Sequence, residues 1–160
     1  MAPKQKKKTI RMIPQARTPA HEQEPAERAR NFEEVNQGYL IEDALLEAER
    51  CLMCPEQPCV AGCPVGNAIP DFIKRITDKD FRGAYDVITD TNLLPAVCGR
   101  VCPQENHCEG VCTVGESLEP AAIGRLERYE GDMASKEGWS NVPYIERHRV
   151  RVGIEGSGPA

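Results

Sequence analysis

Cys51-Leu52-Met53-Cys54-Pro55-Glu56-Gln57-Pro58-Cys59-Val60-Ala61-Gly62-Cys63-Pro64 is the stretch that decides how this chain is read. It places four thiols at gaps of two, four and three residues. Pro55, Pro58 and Pro64 forbid a regular helix through them, leaving a loop able to wrap a compact inorganic object. A second block follows at an offset of about 48 residues: Cys98-x3-Cys102-Pro103-x4-Cys108-x3-Cys112. The two blocks contain all eight cysteines of the chain. Soft thiolates at short, irregular spacing, with proline after one cysteine in each block, read as housing for two iron–sulfur clusters.

A four-iron cluster needs four protein ligands around a small cube, and one tight loop supplies only three of them. In ferredoxin-type runs ending in Cys-Pro, the last cysteine ligates the other cluster. By that rule Cys51, Cys54 and Cys59 form one tripod and Cys63 leaves for the second site. Cys102 and Cys108 then belong with Cys63, while Cys112 returns to complete the first set. The second site still needs a fourth ligand. Spacing alone nominates Cys98, an i, i+4 neighbour of Cys102 on a helical turn. Two alternatives use the same thiols. Four-thiolate zinc sites are built from paired knuckles of two to four residues rather than interleaved runs. A disulfide scaffold requires an oxidising compartment.

The rest of the composition fits a reduced, water-borne protein. The chain has 160 residues, one Trp, three Phe, four Tyr and a net charge of -5, so its apolar core is modest and the clusters serve as cross-links. The acidic balance argues against nucleic-acid binding. The N-terminus has no apolar secretory region, and no apolar run approaches membrane-spanning length, which excludes membrane insertion. The cytoplasm is the expected compartment.

Residues 1–30, rich in Lys, Arg, Pro and Glu, form an extended arm that does not fold alone: a solvated tail, or an arm lying on a partner. Lys4, Lys6, Lys7, Lys8 and Arg11 fit either version. Residues 31–138 are the expected all-α body. A helical pattern runs from Phe32 and Val35 through Ile41, Leu45 and Ala48, and delivers Arg50 and Cys51 into the first loop. Asn67 is the expected N-cap of a helix over Ala68–Thr77, with Ile69, Ile73 and Ile76 on one face. Asp80 caps the next helix, striped by Phe81, Ala84, Tyr85 and Ile88. Pro120 opens a last helix, to about Glu137, with Ile123, Leu126, Tyr129 and Met133 inward. No strand is expected before residue 148. Residues 139–160 read as a linker, a strand over Arg149–Ile154 and a glycine loop at Gly156-Ser-Gly-Pro-Ala160, the front of a dinucleotide-binding G-x-G-x-x-G. The rest of that motif is not present, and Glu155 puts negative charge where a pyrophosphate would lie.

Three strings carry a family resemblance: Arg50-Cys-Leu-Met-Cys-Pro-Glu-Gln-Pro-Cys-Val-Ala-Gly-Cys-Pro-Val, Leu94-Pro-Ala-Val-Cys-Gly-Arg-Val-Cys-Pro-Gln-Glu and Ile123-Gly-Arg-Leu-Glu-Arg-Tyr. From about Glu24 to Trp139 the chain resembles the N-terminal iron–sulfur domain of the glutamate synthase small (β) subunit. The same module occurs in the NADH-dependent ferredoxin:NADP oxidoreductase large subunit and in dihydropyrimidine dehydrogenase. The resemblance implies an α-helical ferredoxin-like fold holding two [4Fe–4S] clusters with exchanged ligands. It also implies that a carboxylate or amide from the helix after the last cysteine can complete the second cluster. The matching position is Glu127, four residues after Ile123 and so on the inward side of its helix. Glu127 is preferred to Cys98 on that ground.

Family members continue into domains that bind FAD and NAD(P)H. The resemblance therefore implies an electron-transfer component with FAD and NAD(P)H on a partner or further domain. Its partners would be a flavoprotein subunit and a second redox subunit or ferredoxin, within a hetero-oligomeric complex. No catalytic nucleophile–base pair is recognisable. The rival reading is a cluster-stabilised or zinc-bound structural adaptor. His107 beside Cys108 reads as a neighbour of the site rather than a ligand, Trp139 as core or interface, and Lys74 and Arg75 as a solvated or partner-facing helix surface.

Overall fold

The computed structural model describes residues 13–141, together with Gly153 and Gly156. The basic cluster Lys4–Arg11, the strand expected over Arg149–Ile154 and most of the glycine loop lie outside them. Among the described residues the chain is mostly helical, with one two-stranded sheet. Its elements are β1 (His21–Glu22), α1 (Pro25–Arg28), β2 (Asn36–Gly38), α2 (Ile41–Ala48), α3 (Pro58–Ala61), α4 (Ile69–Thr77), α5 (Phe81–Thr89), α6 (Pro95–Val101) and α7 (Ile123–Glu137). Short 3-10 turns at Gln104–Asn106 and Thr113–Glu116 lie within and after the second cysteine block.

The helices with a clear apolar stripe form the core. Ile69, Phe72, Ile73 and Ile76 of α4 meet Ala84 and Ile88 of α5, Ala44 and Ala48 of α2, and Ile123 and Leu126 of α7. All are buried. Each large apolar side chain of this kind contributes about 1.5–3 kcal/mol on removal from water. The turn from α4 into α5 is tight: Lys79 takes a left-handed conformation (φ 62°). The Asp80 carboxylate accepts the Gly83 amide at 3.0 Å, the cap expected from sequence.

Two boundaries differ from the sequence reading. The pattern beginning at Phe32 does not start a helix. Phe32 is fully exposed, residues Asn36–Gly38 form β2, and the helix starts at Ile41. The cause is local. Asn36 Oδ1 accepts the Gly38 amide, Gly38 is left-handed (φ 77°), and Asp43 reaches back to accept the Leu40 amide at 2.9 Å. The expectation of no strand before residue 148 is corrected at the same place, because β2 pairs antiparallel with β1. The last helix begins at Ile123 rather than Pro120. Its first amides are taken by carboxylates from elsewhere: Glu47 Oε1 accepts Ala122 N at 2.8 Å, and Glu109 Oε1 accepts Gly124 N at 3.0 Å.

The described part of the N-terminal arm lies on the body. Thr18 is buried; its amide donates to Glu47 Oε2 and its carbonyl accepts the Tyr39 hydroxyl, each at 2.7 Å. Arg50 is fully buried beside Glu47, and its guanidinium donates to Glu47 Oε1 at 2.8 Å and to the carbonyls of Pro14, Gln15, Glu119 and Pro120. One side chain next to Cys51 thus fixes the arm, the end of α2 and the approach to α7. Helices α6 and α7 pack backbone to backbone. A Cβ on Gly99 would stand 2.6 Å from Arg128 N, and one on Gly131 would stand 2.3 Å from Ala96 N.

Candidate metal centre

The cysteine loops bring the thiols to two adjacent cavities. Cys51 leaves the end of α2, and Cys54 sits between two non-glycine residues with positive φ, Met53 (50°) and Gln57 (44°). Such backbone is costly and is held by its surroundings. Cys59 lies on α3, and Cys112 precedes the Thr113–Glu116 turn. These four line one cavity of about 20 Å³, floored by Ile69, Ile73, Ala121 and Ile123. The Cys54 thiol also contacts Thr113 Oγ1 at 3.4 Å.

The second cavity, about 130 Å³, is lined by Cys63, Cys98, Cys102, Cys108 and Glu127, with Asn67, Asn92, Gln104 and His107 among the remaining residues. Each cavity draws on both cysteine blocks: Cys112 joins the first three thiols of the early block, and Cys63 joins the late block. Ile69 and Ile123 line both cavities and so form a shared apolar wall. Cys98 and Glu127, the two candidates for a fourth ligand, face the same cavity. His107 also reaches it.

Charge is poorly tolerated here. Burial pushes the Cys59 thiol up to about 11, with further repulsion from Cys51 and Cys112. Burial pushes Cys108 up to about 12, reinforced by Glu109, Cys63 and Glu127. Cys102 is raised by burial and then by Glu127, Cys98, Cys63 and Glu105. Glu127 is raised by burial against the opposing hydrogen bonds of Asn92 and Asn67. No lysine or arginine is among the residues lining either cavity. Clustered, partly buried thiols without a cationic side chain ionise more readily with a bound cation, and loading such a site releases protons. Among the described residues no three His, Cys, Asp or Glu side chains converge as a single metal ion would need. Four cysteines line the first cavity, and four cysteines with Glu127 line the second, a soft-donor set that suits an iron–sulfur group.

Residues 28–139 match the family described as dihydropyrimidine dehydrogenase domain II, 4Fe-4S cluster. This chain belongs to that family. The dihydropyrimidine dehydrogenase domain II match spans both cysteine blocks and Glu127. The chain is similar to the glutamate synthase [NADPH] small chain of Halomonas elongata, with 39% identity over 144 residues, covering 87% of this chain and 30% of that one. It is similar to the glutamate synthase [NADPH] small chain of Escherichia coli (strain K12), 38% over 130 residues, 81% of this chain and 28% of that one. The NAD-dependent dihydropyrimidine dehydrogenase subunit PreT of the same organism is 38% identical over 117 residues, 73% of this chain and 28% of that one. The chain therefore spans less than a third of the length of these curated relatives. Among the described residues no helix is long and apolar enough to cross a membrane.

Sequence reasoning did not single out Asn92. It lies between α5 and α6, is buried, and donates from Nδ2 to Glu127 Oε1 at 2.7 Å. Its Oδ1 accepts the Leu94 amide at 3.0 Å and the Cys98 S–H at 3.4 Å. The available signal was an asparagine just before Leu-Leu-Pro, which reads as a turn residue and no more. Asn67 was expected to cap α4. Residue Ala68 holds that position without a side-chain cap, and Asn67 lines the second cavity beside Glu127 instead.

Proposed function

We propose that this chain is an electron-transfer module that holds two [4Fe–4S] clusters and passes single electrons between a flavoprotein and a second redox partner. The helical body over residues 31–138 is then an α-helical ferredoxin-like unit, with residues 1–30 as its arm and 139–160 as a linker toward a flavin-binding partner or domain. Cys51, Cys54, Cys59 and Cys112 would hold one cluster. Cys63, Cys102, Cys108 and Glu127 would hold the other. When bound, such clusters supply reversible one-electron exchange.

The observation that carries the reading is the shared wall. Two thiol-lined cavities meet at Ile69 and Ile123, and each takes cysteines from both blocks. The chain's own residues half-bury the thiols and hold the two sites adjacent, which a relay needs and a purely structural pair of sites does not. The names of the relatives, glutamate synthase [NADPH] small chain and NAD-dependent dehydrogenase subunit, support a nicotinamide-linked flavoprotein as donor or acceptor. FAD and NAD(P)H would sit on that partner or on a further domain. The setting would be a cytoplasmic hetero-oligomeric oxidoreductase.

The test is reduction of the anaerobically purified protein, followed by EPR and by rapid mixing with a reduced flavoprotein. Exchange of electrons with both clusters within enzyme turnover times supports the relay. Clusters that bind but do not exchange electrons leave only a scaffold. The ligand sets are tested by Cys54→Ser, expected to lower iron from about eight to about four atoms per chain; unchanged iron would refute that assignment.

A further inference from the structure

We infer that Asn92 selects the oxygen ligand of the second cavity, fixing the Glu127 carboxylate there and engaging the Cys98 thiol that would compete with it. This rests on the reading that Glu127 completes that site. The geometry is a three-way junction on one buried amide. The Nδ2 group donates to Glu127 Oε1 at 2.7 Å, which fixes the carboxylate's rotation and leaves Oε2 as the oxygen free of this bond. The Oδ1 atom accepts the Cys98 S–H at 3.4 Å, which turns that thiol toward the amide. Asn67, 2% exposed, lines the same cavity, and its own Oδ1 is buried without a protein partner.

Both Cys98 and Glu127 line the cavity. A thiolate is the softer donor and competes well for iron. Something must therefore favour the carboxylate, and Asn92 is the residue bonded to both competitors. Ligand-orienting partners of this kind tune affinity and potential. Asn92 is a positioning residue.

A purely structural role is also visible, since Asn92 Oδ1 accepts the Leu94 amide at the start of α6. Asn92→Ser separates the two roles. A serine hydroxyl can still accept that amide but is too short to reach Glu127. In cluster-loaded, full-length N92S the expected result is unchanged iron, with a displaced midpoint potential and altered reduced EPR signal for one cluster only. The second variant N92S/C98S is expected to return both toward wild type, because the competing thiol is gone. Should N92S not fold, Asn92→Asp keeps the Leu94 acceptor, removes the donated bond and is read in the same way.

Wild-type EPR and potentials in the folded variant would overturn the inference. So would loss of about half the iron, since Cys98 would then not be a competitor. Glu127→Ala keeps the underlying reading separate. If E127A leaves both clusters' spectra unchanged, the Glu127 assignment itself fails. If E127A changes one cluster and N92S changes none, only the role of Asn92 fails.

Discussion

A buried ion pair and a lone buried carboxyl behave in opposite ways. Glu47 and Arg50 are both fully buried, and every side of the pair is bonded: to each other, to the Thr18 and Ala122 amides and to four carbonyls. Removing one member leaves the other buried and uncompensated. Arg50→Met is therefore expected to cost about 3–5 kcal/mol in denaturant unfolding and to loosen the arm, detected as faster proteolysis before residue 24. Glu130, also fully buried, has no hydrogen-bond partner for either oxygen, and the neighbouring Tyr129 hydroxyl has none. Burial, with a smaller contribution from Asp80, pushes its carboxyl from 4.5 up to about 8. The folded state thus prefers the protonated acid. Its contribution is complete below the unfolded pKa and is lost as pH rises through about 8, so stability falls across that window. Glu130→Leu is expected to flatten the fall and to add about 1–3 kcal/mol at the alkaline end, read from thermal unfolding against pH. At this scale the grouping of the cysteines was legible from their spacing, and Glu127 was pointed to by the family resemblance, its helical position only permitting it. Asn92 and Asn67 were not, because a short amide looks the same in a turn, a cap or a ligand-orienting role. Only the chain's return through α7 brings Glu127 to them.

The helices with a regular apolar stripe, α4 and α5, were readable almost to the residue. Their burial is decided by a 3.6-residue period, and α5 also carries its own cap, Asp80. The start of α2 was not, since Phe32 and Val35 mimic that period. What overrides them is a turn at Asn36–Gly38 held from a distance by Arg128, whose guanidinium donates to Asn36 Oδ1 at 2.8 Å and to Asn36 O at 2.5 Å. No local pattern announces a partner ninety-two positions along the chain. The α6–α7 contact is equally silent in sequence. Gly99 and Gly131 look like weak points in helices, yet each admits the other helix's backbone. A methyl group at either position must separate two rigid elements. Gly131→Ala is expected to cost about 1–3 kcal/mol. Because α6 carries Cys98 and α7 carries Glu127, it should also broaden or abolish the second cluster's EPR signal while sparing the first. Equal loss of both signals would show that the contact acts on the fold as a whole.

For the molecule as a whole, the proposed ligand sets would couple stability to the inorganic content. Cys63 and Cys112 each cross to the cavity dominated by the other block, so the two sites tie the halves of the domain together. The apolar core alone is small, with few aromatic residues. Stripping iron with a chelator under reducing conditions is expected to lower the unfolding temperature by more than 10 °C, roughly the shift that a loss of several kcal/mol produces in a domain of this size. It should also release protein that regains its fold only when iron and sulfide are returned. Apoprotein as stable as the loaded form would mean that the thiols are not cross-linked through metal. The sequence made the two-site plan visible at this scale because the cysteine blocks repeat, whereas the shared wall emerged only where Ile69 and Ile123, the first residues of α4 and α7, come to line both cavities. The most direct measurement is the iron and acid-labile sulfide content of protein purified without oxygen, combined with EPR of the reduced sample. The account predicts about eight iron and about eight sulfide per chain with two distinguishable reduced-cluster signals. A colourless protein containing zinc and no sulfide would contradict it.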